Sequence, residues 1–182
     1  IEILKEIQDK NLPIAVAVEG GGLRGMVSLA MLYVLRDLGL KDNIKAIAGT
    51  SSGAINASYF LDDHLDYGLE LYKSMASPNF IQPKKWPDAM NLDFLFKEQI
   101  PNHYPLLTAN ILKNDIDFFV TVTELESGQT KATKAQEMER HEDILKLLRA
   151  SASAPLYSTN TELLNSKRYN DGHVQMAIPY HP

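Results

Sequence analysis

Five residues, Gly49-Thr50-Ser51-Ser52-Gly53, read G-x-S-x-G, and the chemistry this spacing serves is acyl transfer by a projecting serine. The two glycines let the chain turn sharply from a strand into a helix, so that the serine hydroxyl stands at the strand's carboxyl end. The helix behind it brings backbone N–H groups and a positive dipole end to the place where an oxyanion forms. A second glycine cluster, Gly20-Gly21-Gly22 followed by Leu23, Arg24 and Gly25, lets backbone N–H groups approach a substrate with no side chain in the way, which suits an oxyanion hole. Arg24 either fixes that loop, attracts an anionic head group, or is a plain surface arginine. Asp171-Gly172, read alone, is a turn; a serine hydrolase also needs a base.

The same loop satisfies G-x-G-x-x-G, so a dinucleotide-binding protein is a competing reading. That fold expects an acidic residue at the end of the second strand to hold a ribose hydroxyl. The second strand here runs into Gly49-Thr50-Ser51, and Asp42 lies before it. The histidines are poor candidates for the base. His64 follows Asp62-Asp63 at a solvated helix end, His103 lies among prolines, His141 opens a charged helix and His181 is next to the last residue. Asp62-Asp63-His64 suggests a metal site only on paper, because no second cluster supports it. No metal and no cofactor are expected.

The elements that must position these residues follow from periodicity. Ile1, Leu4 and Ile7 mark a short amphipathic helix over residues 1–10, ended by Pro13. Ile14 to Val18 and Ile44 to Ala48 are short, β-branched, continuous apolar runs that lead into glycines, the signature of buried strands. Between them, Val27, Met31, Val34, Leu35 and Leu38 follow helical spacing from Arg24 to Leu38, and Gly39 is a stop signal. Further helices are expected over Ala54–Leu61, Leu65–Met75 and His141–Ala150. Asp117 to Leu125 is a strand by content, Glu126 to Gln129 a turn, Thr130 to Thr133 a returning strand, and Arg168 to Asn170 leads into Asp171. This alternation predicts an α/β fold, a three-layer α/β/α sandwich with a mainly parallel central sheet.

Residues 77–107 break the pattern: Pro78, Pro83, Pro87, Pro101 and Pro105 alternate with Phe80, Trp86, Met90, Phe94, Phe96 and Tyr104. They form an irregular insertion or cap within a single domain over 1–182. Its aromatics either cover a sheet edge or form a lipid-facing lid or substrate wall.

A net charge of -5 and a pI near 5.5, with no basic stripe, argue against a nucleic-acid partner. No apolar run is long enough to be a transmembrane segment. The lack of cysteine excludes disulfides and a thiol nucleophile and fits a reducing compartment, so a cytoplasmic location is expected. A chain that opens on Ile1 and stops at Pro182 reads as a trimmed fragment.

Glu19-Gly-Gly-Gly-Leu-Arg-Gly25, Gly49-Thr-Ser-Ser-Gly53 and Asp171-Gly172, in this order, resemble the patatin-like phospholipase family, and its bacterial cytosolic hydrolases most. Arg149-Ala-Ser-Ala-Ser-Ala-Pro155 is similar to the small-residue segment that precedes that family's last strands. The resemblance runs from Ile14 to Pro179. It implies a Ser–Asp dyad, with Ser51 as nucleophile and Asp171 as base, hydrolysing acyl esters of glycerolipids, with transient contact with a membrane surface. Two departures stand out: His173 follows Asp171-Gly172 where the family has Gly or Ala, and Glu19 stands where many members have Asp. His173 crowds the dyad, bonds Asp171, completes a triad or points away. Other readings are a general carboxylesterase or thioesterase on the same site, and a catalytically silent binding domain.

Overall fold

Strand β1 (Ile14–Val18) and strand β2 (Ile44–Thr50) pair in parallel, with Val16 opposite Ile47 and Val18 opposite Gly49. β2 pairs in parallel with β3 (Asp117–Glu124), Gly49 lying opposite Val120 and Thr50 opposite Thr121. β4 (Thr130–Lys134) returns antiparallel along β3 from the turn after Glu124, the hairpin its composition predicts. β5 (Glu162–Leu164) and β6 (Lys167–Asp171) pair antiparallel with each other, and β6 runs antiparallel to β3. The computed structural model describes residues 2–138, 140–155, 157–158, 162–164, 167–175 and 178–179. Among them the sheet has six strands in the order β1-β2-β3-β6-β5, with β4 beside β3. β1, β2, β3 and β5 point one way, β4 and β6 the other. The sheet is therefore mixed, mostly parallel and flanked by helices, as the α/β expectation required.

Helix α1 (Glu2–Asp9) is tied to the strand turn: Asn43 Nδ2 donates to the carbonyls of Ile7 and Leu12. The glycine loop ends in a tight helical turn over Gly22–Gly25 and passes into α2 (Met26–Asp37). α2 buries Leu29 and Leu32, while Val27, Met31, Val34 and Leu38 stay exposed. The apolar spacing marks the helix correctly, but the core takes its other face. α3 (Ser52–Leu61) is buried along its whole length against β2, α2 and α4 (Leu65–Met75). α7 (His141–Ala152) packs on β3, β5 and β6 and touches α3.

Residues 77–107 divide their aromatics. Phe80, Leu92, Phe94, Leu95, Phe96 and Ile100 enter the core, with a π-helical turn at Phe94–Gln99 leading into α5 (Ile100–Asn102). Trp86 stays 60% exposed. The following α6 (Thr108–Leu112) is pinned by Asp62, whose carboxylate accepts from the Leu107 N–H at 2.9 Å and Asn110 Nδ2 at 2.7 Å. Asp62 is thus buried, not at a solvated end, and it anchors a loop. No helix among the described residues is long and apolar enough to cross a membrane.

Candidate active site

The chain leaves β2 at Thr50 and enters α3 at Ser52, so Ser51 alone makes the turn. It does so at φ 55 and ψ -129, a backbone state that L-residues reach only when the surroundings impose it. Several contacts impose it. The Ser51 N–H donates to Ser151 Oγ at 2.8 Å, and Ser151 Oγ donates in turn to the Thr121 carbonyl at 2.8 Å. The Ser51 carbonyl accepts the N–H groups of Ala54 and Ile55. Below the turn, the hydroxyls of Thr50 and Thr121 bond each other. Glycines make this closeness feasible. A Cβ at Gly53 would lie 2.3 Å from the Val18 carbonyl oxygen, so the end of β1 can press on the first turn of α3 only because none is there. Gly25, Gly49 and Gly172 are similarly enclosed by neighbouring atoms.

Strand pairing brings the aspartate to the same place. At Thr121, β3 has β2 on one edge and β4 on the other; at Val122 it has β4 and β6. β4 is continuous, so β2 and β6 share one edge of β3 and run toward each other along it. Thr50 faces Thr121 and Asp171 faces Val122, one rung apart. The two strands end head to head, and Ser51 and Asp171 are the residues at the junction.

Asp171 is 3% exposed and Ser51 7%. The backbone of Asp171 is held by Ser153, whose carbonyl accepts its N–H at 3.1 Å, and by Thr123 Oγ1, which donates to its carbonyl at 3.1 Å. Its Oδ1 accepts the His173 N–H at 2.8 Å. Burial pushes the carboxyl pKa up from its ordinary value; the His173 N–H, the Ser51 hydroxyl and the charge of a protonated His173 pull it partly back. His173 therefore meets the aspartate through its backbone, and the residue lies exposed at the rim.

Gly20 presses on the serine, since a Cβ there would fall 2.6 Å from the Thr50 carbonyl oxygen and 2.9 Å from Ser51 Cβ. Gly21 (φ 144) and Gly22 (φ 58) then turn the loop through conformations that L side chains rarely adopt, and the space beside the Gly22 Cα is open, with nothing within 4 Å of where a Cβ would stand. Arg24 folds back over Gly21, its Nε 3.6 Å from the corresponding point on that glycine. Ser51, Asp171, Gly21, Gly22, Arg24 and His173 all border one open cleft of about 1070 Å³. Its other walls are mostly apolar, with Ile81, Trp86, Met90 and Tyr157 foremost.

Of the other histidines, His64 bonds Asp62 and stacks on Tyr67, and His103 lies beside Tyr104; neither borders the cleft. His181 lies outside the described residues. Among the described residues, no group of three or more His, Asp or Glu side chains is arranged to hold a metal ion. Ser151, Thr121 and Tyr157 are contributors that the sequence did not single out. Ser151 sits in a run of alternating small residues, and only its tertiary contact distinguishes it from Ser153.

A family model for patatin-like phospholipase matches residues 16–182. The chain belongs to the patatin-like phospholipase family. Comparison with curated proteins gave no match. Patatin-like phospholipases are lipid acyl hydrolases. The family match begins inside β1 and includes the glycine loop, the serine turn and Asp171.

Proposed function

We propose that this patatin-like phospholipase hydrolyses lipid acyl esters with Ser51 as nucleophile and Asp171 as its base. The observation that carries the reading is the junction of β2 and β6, where a strained serine meets a buried carboxylate at an apolar cleft. Ser51 Oγ attacks the ester carbonyl carbon as Asp171 takes its proton. The Ser51 N–H is already given to Ser151, so the oxyanion is held by the N–H groups of the Gly20–Gly22 loop, near the amino end of α3. Loss of one such donor lowers rates about 100- to 1000-fold in related chemistry. Asp171 returns the proton to the leaving alcohol as the tetrahedral species collapses to an acyl-enzyme. Water then attacks the acyl carbonyl as Asp171 accepts its proton, and the second tetrahedral species collapses, Asp171 returning that proton to Ser51 Oγ as the carboxylic acid leaves.

A raised carboxyl pKa suits this double duty, because it brings the group closer to the point where taking and giving a proton are both easy. Ile81, Trp86 and Met90, all from the 77–107 segment, are in this reading the wall along which the acyl chain lies.

The test is labelling with a fluorophosphonate probe. Wild type labels; Ser51→Ala does not; Asp171→Asn labels at least about 100-fold more slowly, the scale of lost general-base catalysis. Undiminished labelling of Ser51→Ala in a folded protein overturns the assignment of the nucleophile, and a fast Asp171→Asn overturns that of the base.

A further inference from the structure

The cleft wall is also the base of a projecting loop. Ile81 and Met90 form an isolated antiparallel bridge, and the Gln82 N–H donates to the Ala89 carbonyl at 2.8 Å. The Met90 N–H donates to the Tyr157 carbonyl at 3.0 Å, and Trp86 meets the Tyr157 ring edge-on at 5.8 Å. Between these ties the chain reads Pro83-Lys84-Lys85-Trp86-Pro87, every residue of it exposed. The cleft's rim continues the same chemistry, with Tyr157 at 47% and Val174 at 56% exposure.

Three cations gather at this mouth, Lys84 and Lys85 on the loop and Arg24 on the cleft's border. Most cations of this acidic chain are matched to carboxylates, from Lys10 with Glu6 to Arg149 with Asp93 and Glu162. Lys84, Lys85 and Arg24, all exposed, have no carboxylate partner among the described residues, and the loop's one carboxylate, Asp88, is half-buried. An exposed tryptophan between water and hydrocarbon, beside two free ammonium groups, is the combination that seats a protein at a lipid headgroup layer.

We propose that the 83–87 loop and the rim around it form a docking face for an anionic lipid surface, holding the cleft mouth against the bilayer. Trp86 enters the headgroup region, Lys84, Lys85 and Arg24 contact the anionic heads, and Ser51 lies at the inner end of the same opening. This rests on the cleft being the lipid acyl site, but it can fail separately.

Vesicle association is therefore measured on the Ser51→Ala chain, which cannot consume the lipid, by sedimentation with vesicles of equimolar phosphatidylglycerol and phosphatidylcholine or of phosphatidylcholine alone. The chain pellets with the anionic vesicles and is released by salt, because exposed charges are screened within about 10 Å at ordinary ionic strength. Trp86 is the chain's sole tryptophan, so its emission shifts to the blue on binding. Lys84→Gln with Lys85→Gln lowers the partition coefficient by about fivefold per charge, while fluorophosphonate labelling of the same pair on the Ser51 background stays as in wild type. No preference for the anionic vesicles, or an emission unchanged on binding, overturns the proposal. So does a lipid-free dimer that the double variant abolishes, which assigns the face to a second copy. Loss of labelling in wild type with vesicle binding intact sinks the catalytic reading and leaves the docking face standing.

Discussion

Asp171 holds a carboxylate where water scarcely reaches, and the resulting upward shift has a sign that stability measurements can read. A free aspartate titrates at about 3.9; in the folded chain burial raises Asp171 above that. Between the two values the folded state keeps a proton the unfolded state has lost, so stability falls as pH rises through the window. Above the folded value the penalty is constant. Asp171→Asn removes the charge and keeps an oxygen to accept the His173 N–H. The variant is expected to melt above wild type at neutral pH, and the gap to close once pH drops below the ordinary carboxylate range. Thermal melts across pH check this; a variant that melts lower at neutral pH shows that the charge is net favourable where it sits. Such a gain on losing a functional group is the usual trade between activity and stability. The serine turn and glycine loop were legible in sequence because their determinants are local, glycines at fixed offsets beside a strand and a helix. The environment of Asp171 was not, since burial is made by residues distant in the chain.

Among the elements, α7 holds the serine turn from outside the cleft. Ser151, wholly buried, links the Ser51 N–H to the Thr121 carbonyl, and so fastens the strained turn to β3. Ser151→Ala leaves a buried donor and a buried acceptor without this partner, which destabilises by about 1–3 kcal/mol. The turn then relaxes, and kcat on a soluble ester falls by about tenfold or more with KM unchanged, since small misplacements of a reacting group weigh heavily. A loss confined to thermal stability, with kcat intact, means Ser151 is only a packing residue. Element types followed well from periodicity, and their partners less so. α2 is apolar on two faces, and spacing could not show that Leu29 and Leu32 face the core while Val27, Met31 and Val34 do not. βαβ alternation over the first 75 residues predicted a mainly parallel sheet, and β1, β2 and β3 run that way, but β5 was too short to notice, and nothing local marks β6 as antiparallel.

At the scale of the molecule, the site exists only where two distant stretches of the chain, β2 and β6, meet on β3. Ser51 and Asp171 are more than a hundred residues apart, and the rungs that unite them belong to a strand whose Phe118, Val120 and Val122 are fully buried. Local order in either half cannot assemble the pair, because β2 and β6 share an edge that β3 alone provides. The proposed dyad should therefore appear and disappear with the whole sheet. In urea, loss of fluorophosphonate labelling and loss of helical circular dichroism are expected at one midpoint. Phe118→Ala, removing a large side chain that is 0% exposed, should destabilise by about 3–5 kcal/mol and move both midpoints down together, with labelling at zero denaturant retained. Labelling lost ahead of the dichroism means that β5 and β6 open from β3 on their own, as a separate cooperative unit. The short pairing of β6 with β3, only three rungs from Val122 to Glu124, is where such an opening would begin.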